Sequence, residues 1–198
     1  MDHPLPPARR FDLPYVVERL RARSVSLEDA RASAAVAILL RAGADGETEV
    51  LFIERAVREG DPWSGHMAFP GGRRDDTDAD ALATAVRETW EVVGIDVARD
   101  ARLITRLDDI PVVIQSAEIN MRVAPFVFEM QRDVSHTLSS EVADVLWTPI
   151  APLVRAEVSS VFPFTWQGVL HELPCYKLGE RVIWGLTYWM LEALFRPL

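Results

Sequence analysis

The sequence predicts an α/β fold of the α+β kind, in which a mixed β-sheet lies between helices. Three observations predict it. An apolar run at residues 35–41 is followed by turn residues and a second strand-like run, which reads as a hairpin. Residues 77–93 carry apolar side chains at helical spacing and are closed by a glycine. Further strand-like runs follow, and the chain finishes on an apolar helix. With 198 residues, 49% of them hydrophobic, there is material for one sizeable core and too little for two. The expected organisation is an extended arm over residues 1–14 and a single domain over residues 15–198.

The elements follow in order. Pro4, Pro6 and Pro7 favour an extended start, since proline sets its own dihedral and restricts its predecessor. A short helix is expected over 15–23, with Val16, Leu20 and Arg23 on one face. Residues 35–41 read as a buried strand, 43–46 as the turn and 47–54 as the returning strand. Residues 59–65 hold Gly60, Asp61, Pro62 and Ser64 and read as a loop. Phe69-Pro70-Gly71-Gly72 reads as a strand end running into a tight glycine turn. The helix over 77–93 has Leu82, Val86, Thr89 and Val93 on its core face, Thr77 or Asp78 as cap, and Gly94 as its end. Strands are expected at 102–107, 119–129 and 144–147, and the closing helix at 184–195.

Composition narrows the function. A formal net charge of -9 offers no basic surface to displace counterions from a nucleic acid backbone. The single cysteine, Cys175, cannot build a disulfide framework, which suits a reducing, cytoplasmic setting. The first seven residues lack the basic start and apolar run of a secretory signal, and no apolar run is long enough to span a bilayer. The expected partner is a small molecule rather than nucleic acid or membrane, and a homodimer is allowed.

Chemistry concentrates around the 77–93 helix. Glu88 and Glu91 lie three residues apart and share a face distinct from the core face. Two like charges there repel unless Arg87 or a bound cation offsets them. Alone, the pair would read as a solvated helix flank. Upstream, however, Gly71 and Gly72 let bare backbone approach a ligand closely. A glycine turn feeding paired carboxylates supplies hard oxygen ligands of the kind Mg²⁺ prefers, with positions left open for phosphate oxygens.

The run Gly72 … Arg87-Glu88-Thr89-Trp90-Glu91-Val92-Val93-Gly94-Ile95 resembles the Nudix box. The general box is glycine, five residues, glutamate, seven residues, Arg-Glu, an apolar residue, any residue, Glu-Glu, any residue, glycine and an apolar residue. This sequence departs from it in three ways. The interval from Gly72 to Arg87 is one residue longer, Ala79 stands at the first glutamate, and Val92 replaces the second glutamate of the pair. The resemblance implies a Nudix-type α/β/α sandwich with a mixed sheet, the box forming a loop–helix–loop. It also implies dependence on Mg²⁺ or Mn²⁺ and hydrolysis of a nucleoside diphosphate linked to another moiety.

Within that family, Phe69-Pro70-Gly71-Gly72-Arg73-Arg74-Asp75 with Asp78, and then residues 83–89, resemble the coenzyme A diphosphatase branch. Residues 123–127, 141–147 and 183–187 look like it too. The upstream coenzyme A signature is partial: Gly65 is in place, Arg55-Ala56 lies one residue too far away, and Asp61 stands where a second arginine is expected, with Arg58 nearest. The implied substrate is coenzyme A or an acyl-CoA. The alternatives are an ADP-ribose-type compound, or a catalytically weakened domain that binds nucleotides, to which Val92 points.

By position, the resemblance makes Glu88 and Glu91 metal ligands with the Gly71 carbonyl as a third, and Arg87 the group that orients a glutamate. Arg55, Arg58, Gly72 and Arg73 would bind substrate. Glu141, ahead of a strand, is a candidate for the base, with a helix N-terminal or turn role as its plainer reading. His66 could face phosphate or simply be a hydrogen-bonded loop residue, and Trp63 could stack on a base or only pack.

Overall fold

A computed structural model describes residues 10–22, 32–59, 64–112, 121–166 and 168–198. The first helix, α1 (Leu13–Arg21), starts two residues earlier than expected, because Asp12 caps it by accepting from the Tyr15 backbone N–H and Pro14 fits its first turn. Arg23 and the proline-rich start lie outside the described residues.

The hairpin forms as expected from β1 (Ala34–Ala42) and β2 (Thr48–Arg55), with Leu40 opposite Val50. The two strands pair only near the turn and then part. On its far edge β1 runs parallel to β7 (Met121–Met130), while β2 is lined along its outer edge by β8 (Val142–Pro149). The gap between β1 and β2 is filled by β3 (Met67–Ala68), paired to β2, and β4 (Gly71–Arg73), paired to β1. Gly71-Gly72 is therefore not the tight turn read from the sequence. It is a short extended strand, and its reason is contact: a Cβ on Gly71 would lie 2.3 Å from the Ala35 carbonyl oxygen and 2.6 Å from Val36 Cα. β5 (Ala101–Arg106) and β6 (Ile110–Val112) pair antiparallel with β7 and complete a mixed eight-stranded sheet.

Strand alternation gives the sheet two buried faces. Ile38, Leu40, Val50 and Phe52 join α1 and α5 (Gly185–Phe195) in one core; Leu39, Leu51, Ile53, Ala35 and Ala37 join α2 (Ala81–Val93) and α3 (Val97–Asp100) in the other. This is the helix–sheet–helix layering implied by the family resemblance. The short helix α4 (Ala151–Val154) follows β8 on the α5 side. One element was not anticipated. A separate three-stranded antiparallel sheet is formed by β9 (Ser159–Trp166), β10 (Val169–Leu178) and β11 (Arg181–Trp184). No helix among the described residues is long and apolar enough to cross a membrane.

Candidate active site

α2 begins at Ala81, beyond the start expected from a cap at Thr77 or Asp78. Asp80 is the cap, its carboxylate accepting from the Ala83 N–H at 2.8 Å, and Gly94 ends the helix in the left-handed region at φ 70°. The core face is also turned slightly from the expected one. Ala81, Thr84, Ala85, Thr89, Val92 and Val93 are buried, whereas Leu82 and Val86 only edge the core. Small residues there let the helix settle against the alanines of β1.

Because Asp80 takes the cap, Asp78 stays in the loop and turns back toward the second turn of the helix. Its Oδ2 accepts from the Asp75 N–H and the Thr84 hydroxyl, each at 2.9 Å. Arg87 completes the set. Its Nε donates to Asp78 Oδ1 and its Nη2 to Asp78 Oδ2, both at 2.9 Å. Nη2 also donates to the Arg73 carbonyl at 3.1 Å, and Nη1 donates to Glu88 Oε1 and to Glu91 Oε2, each at 3.0 Å. All five guanidinium N–H groups are thus engaged. The pair shifts both partners: Arg87 holds the Asp78 carboxyl well below the usual carboxylate range, and Asp78 raises Arg87 above its ordinary value.

Glu88 and Glu91 share one donor, so the structure brings together the two carboxylates expected to act together. They differ in setting. The Glu88 side chain is 16% exposed and that of Glu91 54%. Burial pushes the Glu88 carboxyl up, with the Arg87 hydrogen bond pulling the other way. Above it lies Gly72: a Cβ there would stand 2.5 Å from the Glu88 carboxylate. The glycine leaves the hollow that this carboxylate fills.

The β1–β4 ladder orients the neighbouring carbonyls. Ala37 N–H donates to the Pro70 carbonyl and Arg74 N–H to the Ser33 carbonyl, so residues 70, 72 and 74 face β1. In an antiparallel ladder the intervening carbonyls of Gly71 and Arg73 then point to the other edge. Arg87 meets the Arg73 carbonyl there, and the Gly71 carbonyl lies on the same edge. The Arg73 side chain itself is exposed.

The donor set suits a hard cation: carboxylate and carbonyl oxygens, with three carboxylates set against one guanidinium. It is a sparse set. Among the described residues no group of three or more His, Cys, Asp or Glu side chains has metal-holding geometry. Val92 explains part of this, being 6% exposed and packed in the α2-side core.

The other expected residues gather at the far end of β2. The Arg55 N–H donates to the His66 carbonyl at 3.0 Å. Arg58 Nη1 donates to Glu141 Oε1 at 3.0 Å and Nη2 to the Ser140 hydroxyl at 3.2 Å. Glu141 takes the turn role at the start of β8, with its carbonyl accepting from the Ala56 N–H. His66 stands edge-on to Trp184, ring centroids 4.9 Å apart. Trp63 and Asp61 lie outside the described residues. Sequence reasoning missed Asp78 as the partner of Arg87; the signal present was a run of four acids, Asp75, Asp76, Asp78 and Asp80, more than one cap and one turn need.

A NUDIX-domain family model matches residues 31–164. The mitochondrial coenzyme A diphosphatase NUDT8 of Homo sapiens is 31% identical over 172 residues, covering 85% of this chain and 67% of its own length. An uncharacterised Schizosaccharomyces pombe protein is 40% identical over 111 residues, covering 54% of this chain and 34% of its own, so the chain spans about a third of that relative. A Nudix hydrolase from Alicyclobacillus acidocaldarius shares the fold at a TM-score of 0.51 and 20% identity, over 86% of this chain and 93% of its own.

Proposed function

This chain belongs to the Nudix family, and we propose that it is a divalent-metal-dependent diphosphatase whose substrate is coenzyme A or an acyl-CoA. The observation that carries the reading is the Glu88 carboxylate, seated in the hollow left by Gly72 and joined through Arg87 Nη1 to Glu91. A half-buried carboxylate with raised proton affinity, beside a second carboxylate, is a place where a cation can take the position a proton would otherwise occupy. Glu88, Glu91 and the Gly71 carbonyl would hold Mg²⁺ or Mn²⁺, which supplies charge neutralisation of the diphosphate and acidifies the attacking water.

The chain's own residues do the rest. Arg87 fixes the rotamers of both glutamates and is itself fixed by Asp78 and the Arg73 carbonyl, so the ligands are ordered before metal arrives. Arg55, Arg58 and Arg73 supply positive charge for substrate phosphates; Arg58 is stored against Glu141 and exchanges that partner for phosphate. The substrate reading is supported by the similarity to a protein named as a coenzyme A diphosphatase. The partner is a small nucleotide-derived molecule, and the buried, unpaired Cys175 suits a reducing compartment such as the cytoplasm.

A second reading, a weakened domain that binds nucleotides, is favoured by one observation: Val92 lies in the core, where the box has a carboxylate. Turnover of coenzyme A, ADP-ribose, a dinucleoside polyphosphate and a nucleoside triphosphate, each with Mg²⁺ and with Mn²⁺, separates the readings. The diphosphatase releases 4′-phosphopantetheine and adenosine 3′,5′-bisphosphate from coenzyme A. Turnover of ADP-ribose alone overturns the substrate, and metal binding without turnover of any compound favours the second reading.

A further inference from the structure

The three-stranded sheet of β9, β10 and β11 carries a row of aromatic rings on one face, with His171 and Lys177 of β10 in the same phase. Trp184 opposes Cys175, and Cys175 opposes Ser160, so Trp184 lies in phase with Phe162, Phe164 and Trp166, the alternate residues of β9. The rings touch in series. Phe162 stacks on Trp184 with centroids 4.6 Å apart, Phe164 lies 5.2 Å from Trp184, and Trp166 stacks on Phe164 at 6.3 Å. All four are only partly buried, and β9 carries no charged residue.

This face lies on the side of the small sheet away from the α5-side core. Ile183 and Tyr176 of the same small sheet belong to the core on the α5 side, which turns Trp184 to the opposite side. His66, edge-on to Trp184, precedes Met67 of that same α5-side core, so by alternation it too faces the side of the sheet that carries α2. Gly72 lies six positions after His66, a span of at most about 20 Å when extended. Arg55, proposed above to meet phosphate, is the backbone partner of His66. The aromatic face is therefore joined through His66 and Arg55 to the chain that leads into Gly72 and the seat of Glu88.

We propose that this aromatic face seats the nucleobase of the substrate, with Trp184, Phe162 and Phe164 as the stacking residues and His66 bracing Trp184. The inference rests on the diphosphatase reading for its substrate class. Its chemistry is that of base–aromatic stacking, which needs π-faces and tolerates any base.

The test is AMP binding to the full chain, read by isothermal titration. AMP has a base and no diphosphate, so the result is independent of turnover. Trp184→Leu and Phe164→Ala should each weaken AMP about ten-fold or more, while Trp184→Phe stays within a few-fold. Ribose 5-phosphate, which lacks the base, should be bound alike by wild type and variants. Phe164 lies toward the outer end of the face, so that variant carries the test where Trp184→Leu fails to fold. Undiminished AMP affinity in a folded variant overturns the proposal, as do wild type that fails to bind AMP and equal losses for AMP and ribose 5-phosphate. A failed diphosphatase reading would appear separately, as absent turnover with AMP binding intact.

Discussion

Arg87 and Asp78 are joined at two points across nine residues of chain, Nε to Oδ1 and Nη2 to Oδ2, each at 2.9 Å. The Asp78 side chain is 5% exposed and that of Arg87 28%, so the pair is shielded from water on the acid side and open on the other. The open side is where Nη1 reaches Glu88 and Glu91. The loop thereby sets the position of the carboxylates.

Arg87→Lys tests that relationship. A lysine is a compact point charge that cannot serve Asp78 at two points and both glutamates at once. Turnover should fall by roughly 10–100-fold, the range for partners that orient metal ligands. Mg²⁺ affinity measured by titration should fall with it. An unchanged affinity would place Arg87 outside the site's support.

Asp78 gives a pH-dependent prediction. Its folded value is depressed chiefly by the Arg87 hydrogen bonds, so its stabilising contribution is fully present above the ordinary carboxylate range and lost as pH falls through the folded value. Asp78→Asn should therefore melt well below wild type at pH 7. The gap in Tm should narrow only in strong acid. A gap that does not vary with pH would assign the loss to packing alone.

The glycine pair separates stability from activity. Gly71→Ala drives a Cβ into the backbone of Ala35 and Val36 and should lower Tm sharply. Gly72→Ala meets only the end of the Glu88 side chain, which can swing aside. That variant should melt close to wild type while losing most turnover. Retained turnover in Gly72→Ala would mean that the seat of Glu88 is unimportant.

Val92→Glu puts a carboxylate into an apolar position, so the metal-free protein should melt lower. If the new side chain reaches out to join Glu88, Mg²⁺ should raise its Tm more than it raises that of wild type, because a ligand that binds only the folded state stabilises it in proportion to its affinity. Equal Mg²⁺ shifts would mark position 92 as core alone.

Much of the site was legible because it rides on a helix. The spacing of Glu88, Glu91 and Arg87 projects directly onto one face, and Gly94 ends the helix where its type demands. What spacing could not decide was the division of labour among Asp75, Asp76, Asp78 and Asp80. Any of several acids could cap, and the choice of Asp80 depends on where β4 delivers the chain. The glycine pair was read as a turn because its partner strand, β1, lies some 35 residues earlier. The sheet of β9–β11 was hidden for a related reason: Pro163 interrupts its pattern, and proline is tolerated there because β9 is an edge strand.

The central claim is that Glu88, seated beneath Gly72, is a metal-binding carboxylate of a diphosphatase. Initial rates of coenzyme A hydrolysis with Mg²⁺, taken side by side for wild type and Glu88→Gln, test it most directly when paired with the melting temperature of each. The expected result is a loss greater than the roughly 100-fold upper end for groups that only orient a ligand, at nearly unchanged Tm. Equal rates in the two proteins would contradict it.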